Sequence, residues 1–213
     1  MGAAPRRVIL AANSSWNIVN FRAGLIRALK REGYEPVVVA PLDEAAESRM
    51  KELRVERLVV DIDRSGLNPI ADLRLLREYR RILKRLRPAA FLGFTIKPNI
   101  YGCIAARSLG IPAIANISGL GTVFIGRGLL LALVTWLYRF ALGRAEVVFF
   151  QNPDDRALFI ATRRTHAPGS TIDWTRGQRA CAAAKASCAS SSAALRLPLK
   201  PYASAATRRK CSR

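Results

Sequence analysis

The feature that most constrains the fold of this 213-residue chain is a regular exchange of short apolar runs with longer amphipathic stretches. Six runs are rich in Val, Ile, Phe and Ala and cover residues 7–12, 36–40, 57–62, 89–94, 112–116 and 146–150. Runs this short and this apolar are typical of buried strands. Helical periodicity fills the intervals, at residues 18–31, 42–53, 70–87, 100–109, 129–142 and 153–161. The pattern predicts an α/β domain with a doubly wound, mostly parallel sheet.

Glycine and proline support these boundaries. Gly33 and Gly110 stand between a predicted helix and the next strand, where glycine closes helices. Pro69, Pro98 and Pro153 stand at predicted first helical positions, where the missing N–H of proline costs nothing.

The composition changes near residue 163. Residues 163–213 contain 11 Lys and Arg but a single acidic residue, so this quarter carries +10 of the formal net charge of +20. It also lacks any alternation of strand and helix patterns. We therefore predict a folded domain over residues 1–162 and a low-complexity basic tail over 163–213. The tail is interpreted as a disordered extension, as out-of-frame sequence after Ile160, or as a nucleic-acid-binding tail.

The positive charge indicates a polyanionic partner, for which nucleic acid, anionic lipid and phosphorylated substrates all qualify. A basic nucleic-acid-binding protein is the rival interpretation, but the basic stretch 70–87 has no aromatic stacking platform, so no nucleic acid is expected. The four Cys form no CxxC motif and there is one His, which argues against a zinc site or a disulfide framework. No GxGxxG motif is present. We expect no metal and no cofactor.

Polar residues follow the predicted strands at the edge where ligands of such sheets bind. Asn13, Ser14 and Asn17 come after the first strand and precede a helix whose free N–H groups favour an anion. Capping of that helix by Ser15 or Asn17 is the alternative interpretation.

The turn after the fourth strand contains Thr95, Lys97 and Asn99. A lysine at a helix N-terminus faces the positive end of the helix dipole, and a bound anion would remove this conflict. We therefore predict that a ligand phosphate is the counter-charge of Lys97, with a solvated surface lysine as the alternative. The turn after the fifth strand carries Ser118, Gly119 and Gly121, whose glycines allow a ligand to approach the backbone closely.

Four segments, NIVNFRAGLIRALKREGYEPVVVAP, SGLNPIADL, FTIKPNIYGCIAARSLGIPAIANISGLGTVF and FFQNPDDRALF, together resemble the N-terminal domain of family 4 glycosyltransferases of the GT-B fold. They are most similar to bacterial enzymes that add sugars to undecaprenyl-diphosphate-linked intermediates of capsule, O-antigen or N-glycan assembly. The resemblance covers residues 7–161. A further segment, APGSTIDW, is similar to the family's hinge, with Thr171 in place of a glycine.

The resemblance implies a Rossmann-like half of a GT-B enzyme that binds the acceptor, an undecaprenyl-diphosphate-linked glycan. A second half would bind the nucleotide sugar and supply a paired-glutamate motif, yet no Glu follows Glu146. The chain is therefore expected to be a truncated acceptor half, inactive alone, or a non-catalytic scaffold. Contacts to the diphosphate or a sugar are expected from Asn13, Ser14, Trp16, Asn17, Thr95, Lys97 and Asn99, with Ser118, Gly119 and Gly121 shaping the floor. No catalytic residue is assigned.

The segment GRGLLLALVTWLYRFALGR suggests a contact with a membrane. Its apolar part makes a helix of about 21 Å, too short for a hydrocarbon core of about 30 Å. Arg139 within it and basic residues at both ends favour a helix lying in the membrane interface, with Trp136 and Tyr138 as anchors. A buried core helix is the alternative. We expect a cytoplasmic protein, peripheral on the inner face of the cytoplasmic membrane.

Overall fold

The computed structural model describes residues 6–63, 68–118, 129–143, 145–151 and 153–162. Each predicted strand is present, as β1 (Arg6–Ala11), β2 (Tyr34–Ala40), β3 (Glu56–Val59), β4 (Ala90–Gly93), β5 (Ala113–Ile117) and β6 (Val147–Phe150). The helices are α1 (Ser15–Phe21), α2 (Ala23–Arg31), α3 (Glu47–Glu52), α4 (Pro69–Leu86), α5 (Cys103–Ser108), α6 (Leu129–Leu142) and α7 (Pro153–Thr162). The tail predicted over 163–213 lies outside the described residues.

The six strands form one sheet in the order β3-β2-β1-β4-β5-β6, and every neighbouring pair is parallel. This confirms the predicted doubly wound α/β class. The chain builds β1, β2 and β3 outward in one direction, then returns to place β4 on the other side of β1. The turns after β1 and β4 therefore diverge at a topological switch point, where open α/β sheets bind ligands.

Buried side chains lie on both faces of the sheet. Along β1, Val8 and Leu10 pack in the cluster that contains the buried residues of α1, α2 and α3. Ile9 and Ala11 point the other way and pack with those of α4, α5, α6 and α7. Successive strand residues point to opposite faces, so a strand covered on both sides must be apolar throughout. This is why the strand sequences show continuous apolar runs.

The first helix differs from its prediction. In place of one helix over 18–31, α1 begins at Ser15, and Arg22 (φ −123°, ψ 1°) separates it from α2. The predicted capping by Ser15 or Asn17 is wrong, because Ser14 has the extended backbone of an N-cap and its Oγ accepts from the Asn17 N–H at 3.1 Å. Ser15 Oγ instead donates to the Pro41 carbonyl at 2.7 Å, which fixes the start of α1 to the end of β2.

Two other predicted helices contain irregular turns. A 3₁₀ turn, Glu44–Ala46, precedes α3, and a π-helical turn, Pro98–Gly102, precedes α5. The predicted terminators are confirmed: Gly33 and Gly110 have φ of 77° and 67° after their helices. Pro69 opens α4 behind Asn68, whose side chain accepts hydrogen bonds from the next helical N–H groups.

Candidate functional site

The turns after β1 and β4 are joined directly at the carboxyl edge of the sheet. The Asn13 N–H donates to Thr95 Oγ1 at 2.9 Å, and the Phe94 N–H donates to the Ala11 carbonyl at 3.0 Å. These bonds hold the two turns together just beyond the last paired strand residues. The two turns form one wall of a cleft at the switch point.

The cleft has a volume of about 300 Å³. Its polar lining consists of Asn13, Asp63, Thr95, Lys97, Asn99 and Ser118. Its apolar lining consists of Ile62, Phe94, Ile96, Ile117 and Tyr138. Residues that follow β1, β3, β4 and β5 therefore meet in one place, although they are far apart in the sequence.

Five of the ten predicted site residues line this cleft: Asn13, Thr95, Lys97, Asn99 and Ser118. Three others do not. The Ser14 side chain caps α1, the Asn17 N–H is its donor, and Trp16 is exposed on α1 with its ring edge-on to Phe21 at 5.6 Å. Gly119 and Gly121 lie outside the described residues. A binding role for each of these residues stays a prediction.

Lys97 has a counter-charge within the chain. Its Nζ lies 2.8 Å from Asp72 Oδ1, and the two side chains are only 13% and 9% exposed. The premise that the charge of Lys97 lacks a partner within the chain is therefore wrong, and so is the alternative of a solvated surface lysine. A contact of Lys97 with a ligand phosphate stays a prediction. Asp72 belongs to the first turn of α4, which packs against the π-helical turn that follows Lys97.

Tyr101 completes this group. Its hydroxyl donates to Asp72 Oδ2 at 2.8 Å, so both oxygens of the carboxylate accept a hydrogen bond. Burial, and then the hydrogen bond to Asp72 and its charge, raise the pKa of Tyr101. The phenol therefore remains a donor at neutral pH. Asp72, Lys97 and Tyr101 thus tie α4 to the turn that forms the cleft wall.

Asn99 shapes the cleft from below. It is buried, and its Nδ2 donates to the Asn116 carbonyl at 3.0 Å, which links the turn after β4 to the end of β5. Among the described residues, nothing donates a hydrogen bond to its Oδ1. That oxygen lies against Gly93, where an added Cβ would stand 2.5 Å from it. Strand β4 can therefore lie this close to the Asn99 side chain only because residue 93 is a glycine.

Sequence reasoning missed Asp63, Asp72, Tyr101 and Tyr138. Asp63 carried a usable signal, because it directly follows the apolar run 57–62 in the same way that Asn13 follows the first strand. Asp72 and Tyr101 lie inside helical patterns, where nothing local distinguishes them from ordinary helix residues. In the described ranges, no group of three or more His, Cys, Asp or Glu side chains is placed to hold a metal ion.

Helix α6 has the predicted bounds and two different faces. Val134, Tyr138 and Leu142 are buried in the core. Leu133, Trp136 and Phe140 are exposed, and the Trp136 and Phe140 rings stack with centroids 5.8 Å apart. The predicted anchor role of Tyr138 is wrong, because only 1% of it is exposed and it packs in the core. Within the described residues, no helix combines the length and apolarity needed to cross a bilayer.

Comparison with known proteins gives a family match. Residues 18–169, well over half of the chain, match the model of the glycosyl transferase 4-like domain. An enzyme of Campylobacter jejuni serotype O:2, N,N'-diacetylbacillosaminyl-diphospho-undecaprenol alpha-1,3-N-acetylgalactosaminyltransferase, is 28% identical over 151 residues. That alignment covers 68% of this chain and 40% of the enzyme.

Solved structures show the same fold. MurG of Acinetobacter baumannii superposes with a TM-score of 0.51 at 19% sequence identity. The match covers 78% of this chain and 44% of MurG. Anabaena HepE in complex with UDP-glucose superposes with a TM-score of 0.55 at 14% sequence identity. The match covers 79% of this chain and 43% of HepE. The chain thus spans less than half the length of each of these relatives. The predicted resemblance is confirmed, and the chain belongs to the glycosyl transferase 4-like family, whose GT-B fold it matches in its N-terminal α/β half.

Proposed function

We propose that this chain binds the acceptor of a glycosyl transfer and that the acceptor is a glycan linked through a diphosphate to undecaprenol. The observation that carries the proposal is the polar cleft at the β1–β4 switch point of a glycosyl transferase 4-like domain. The Campylobacter jejuni relative, whose name describes transfer to a diphospho-undecaprenol sugar, supports this choice of acceptor.

The chemistry of the cleft supports a sugar ligand. Thr95 Oγ1 accepts from the Asn13 N–H, so its own proton remains to donate to a ligand. Ser118 Oγ donates to the Phe94 carbonyl at 3.3 Å and keeps lone pairs that accept. The apolar side chains Phe94 and Ile117 beside them offer surface to the C–H faces of a sugar ring.

The sugar to be transferred would come from a nucleotide sugar. Anabaena HepE, solved with UDP-glucose, supports this class of donor. Transfer needs a second site that holds the donor and stabilises the leaving diphosphate. We assign only the acceptor role to the described residues and no catalytic residue among them.

The test compares two serines of the full chain. Ser118 lines the cleft, whereas Ser108 ends α5 at the opposite edge of the sheet, where its Oγ donates to the Ala105 carbonyl. Binding of undecaprenyl-diphosphate-linked N-acetylglucosamine in detergent is measured by titration. Ser118→Ala should weaken binding about fivefold, the equivalent of one lost hydrogen bond, and Ser108→Ala should leave it unchanged. Equal affinities of the two variants, or no binding by the parent chain, would contradict the proposal.

We also propose that the protein is peripheral on the inner face of the cytoplasmic membrane, held by α6. Leu133, Trp136 and Phe140 form an exposed apolar stripe on this helix, and Arg139 is exposed beside them. An interfacial helix of this kind buries aromatic side chains among headgroups while its basic residues face anionic lipid. Such a contact brings the chain to a lipid-linked acceptor.

Trp136→Ala tests this membrane contact, with Trp16→Ala as the matched control. Both tryptophans are about half exposed, but Trp16 lies on α1, on the other face of the sheet. Co-sedimentation with phosphatidylglycerol vesicles should fall about tenfold for Trp136→Ala, because one large apolar contact is lost, and should be unchanged for Trp16→Ala. Equal loss in both variants, or equal sedimentation with neutral vesicles, would contradict it.

A further inference from the structure

Among the described residues that line the cleft, cations do not predominate, although the chain as a whole has a formal net charge of +20. Its lining includes one cation, Lys97, and one carboxylate, Asp63. A second carboxylate, Asp72, pairs with Lys97 from behind. Tyr138 adds no charge, since burial and, to a smaller extent, the nearby Cys103 raise its pKa. The described lining of the cleft therefore does not share the basic excess of the chain as a whole.

The ion pair makes Lys97 a poor anion site. An anionic oxygen bonded to Nζ would lie within about 6 Å of the Asp72 carboxylate, because each charged hydrogen bond is about 2.8 Å long. Repulsion between the two anions would oppose the attraction to the ammonium. In a site where both side chains are mostly buried, this repulsion is weakly screened.

The same ammonium suits an uncharged acceptor of hydrogen bonds. It has three N–H groups, and the structure gives one bond to Asp72. A sugar hydroxyl or N-acetyl oxygen can take another without repulsion from the carboxylate. Asn13, Thr95 and Ser118 add neutral donors and acceptors on the same wall.

We infer that the cleft at the switch point binds an uncharged sugar of the acceptor and leaves its diphosphate outside, because Asp72 neutralises Lys97. This inference rests on the proposed function and specifies which part of the acceptor the cleft takes. Asp72 acts here as a positioning residue, since it determines what Lys97 can bind and does not itself line the cleft.

The first experiment titrates the full chain with two probes and follows the backbone amide NMR signals of Asn13, Thr95 and Ser118. N,N'-diacetylchitobiose, an uncharged disaccharide, should shift these signals in a saturable way. Inorganic pyrophosphate should leave them unchanged, although it will shift signals at basic surfaces elsewhere. A site-specific signal is needed because a strongly basic chain attracts anions at many places.

The second experiment removes the counter-charge of Lys97 with the substitution Asp72→Asn. Glu78→Gln is the matched control, because it removes one carboxylate from the same helix in an exposed pair with Arg81. Asp72→Asn should make the cleft signals shift with pyrophosphate at concentrations about tenfold below the highest one that leaves the parent unchanged, and Glu78→Gln should not. The double variant Asp72→Asn, Lys97→Gln should lose this gain.

Pyrophosphate shifting the cleft signals of the parent chain as strongly as the disaccharide would overturn the inference and leave the proposed function standing. An unchanged pyrophosphate affinity in folded Asp72→Asn would also overturn it. If that variant does not fold, the comparison of the two probes on the parent chain decides alone. If neither probe shifts the cleft signals, the inference fails, and the titration with the lipid-linked sugar judges the proposed function separately.

Discussion

The buried ion pair with Asp72 gives the single residue Lys97 a structural role that the sequence did not predict. The sequence predicted that the negative charge of a ligand makes this lysine tolerable at the start of a helix. In the structure Asp72 supplies it, and Tyr101 satisfies the second carboxylate oxygen. Lys97 is therefore a part of the fold as well as a lining residue of the cleft.

Lys97→Ala is expected to destabilise the chain by about 3–5 kcal/mol, because it leaves the Asp72 carboxylate buried without its partner. Asp72→Ala should cost a similar amount, and the double variant should cost less than the sum. Urea unfolding of the three variants gives these values. Lys51→Ala is the control, since Lys51 is largely exposed in its pair with Glu47 and should matter by less than about 1 kcal/mol. A Lys97→Ala variant as stable as the parent would restore the interpretation that its counter-charge is a ligand.

Sequence reasoning located the turns of the cleft but not the pairing within them. Thr95 and Lys97 follow an apolar run, and this local signal places them at the carboxyl edge. The partner Asp72 lies 25 residues earlier, in a different element. A contact between two elements leaves no periodic trace in either one, so it follows only once the sheet order is known.

The packing of the turn between β4 and α5 against its neighbouring elements depends on two glycines, which allow a close approach. Gly93 lies against Asn99, and Gly102, at the end of the π-helical turn, lies against the ring of Phe91 in β4. A side chain at either position would displace the turn that carries Thr95 and Lys97. The helix and strand were predictable from apolar periodicity, whereas the π-helical turn was not, because this contact with β4 is tertiary.

Gly102→Ala is expected to lower the free energy of unfolding by about 1–3 kcal/mol or more, because the new methyl group overlaps the buried Phe91 ring. Gly24→Ala is the matched control. Its Cβ would meet no atom within 4 Å, and Gly24 lies in helix α2, so alanine there should stabilise the chain by up to about 1 kcal/mol. Thermal and urea unfolding of both variants measure the difference. Equal effects of the two substitutions would show that the ring contact is not tight.

The order of the strands creates the cleft at the scale of the whole molecule. The sequence predicted six strands, their α/β connection and a parallel sheet, because these follow from local apolar patterns. It did not predict that β1 lies between β2 and β4, which depends on how helices cover the two faces. That order brings Asn13 beside Thr95 and so joins two turns that are 82 residues apart. The sequence named Trp136 of the exposed stripe on α6 but also the buried Tyr138, because both faces of this helix are apolar and the sequence does not show which one is covered.

The core should make the whole molecule sensitive to alkaline pH. Burial raises the pKa of the Cys103 thiol from 9.0 to about 12, and burial also raises the pKa of Tyr79 and Tyr138, which share its cluster. Above pH 9 the unfolded chain releases the thiol proton while the folded chain keeps it, so the unfolded state binds fewer protons and stability falls as pH rises. This contribution is fully present below pH 9 and is lost by about pH 12, at a slope of up to about 1.4 kcal/mol per pH unit.

Cys103→Ala should therefore flatten the decline of unfolding free energy between pH 9 and pH 12. The measurement is urea unfolding in reducing buffer at several pH values for the parent and the variant. Only the slopes are compared, because removing a buried sulfur also costs packing at every pH. The tyrosines continue to lower stability above about pH 10 in both chains, so the variant should keep part of the decline. Parallel curves for the two chains would mean that the thiol reaches solvent and ionises in the folded state.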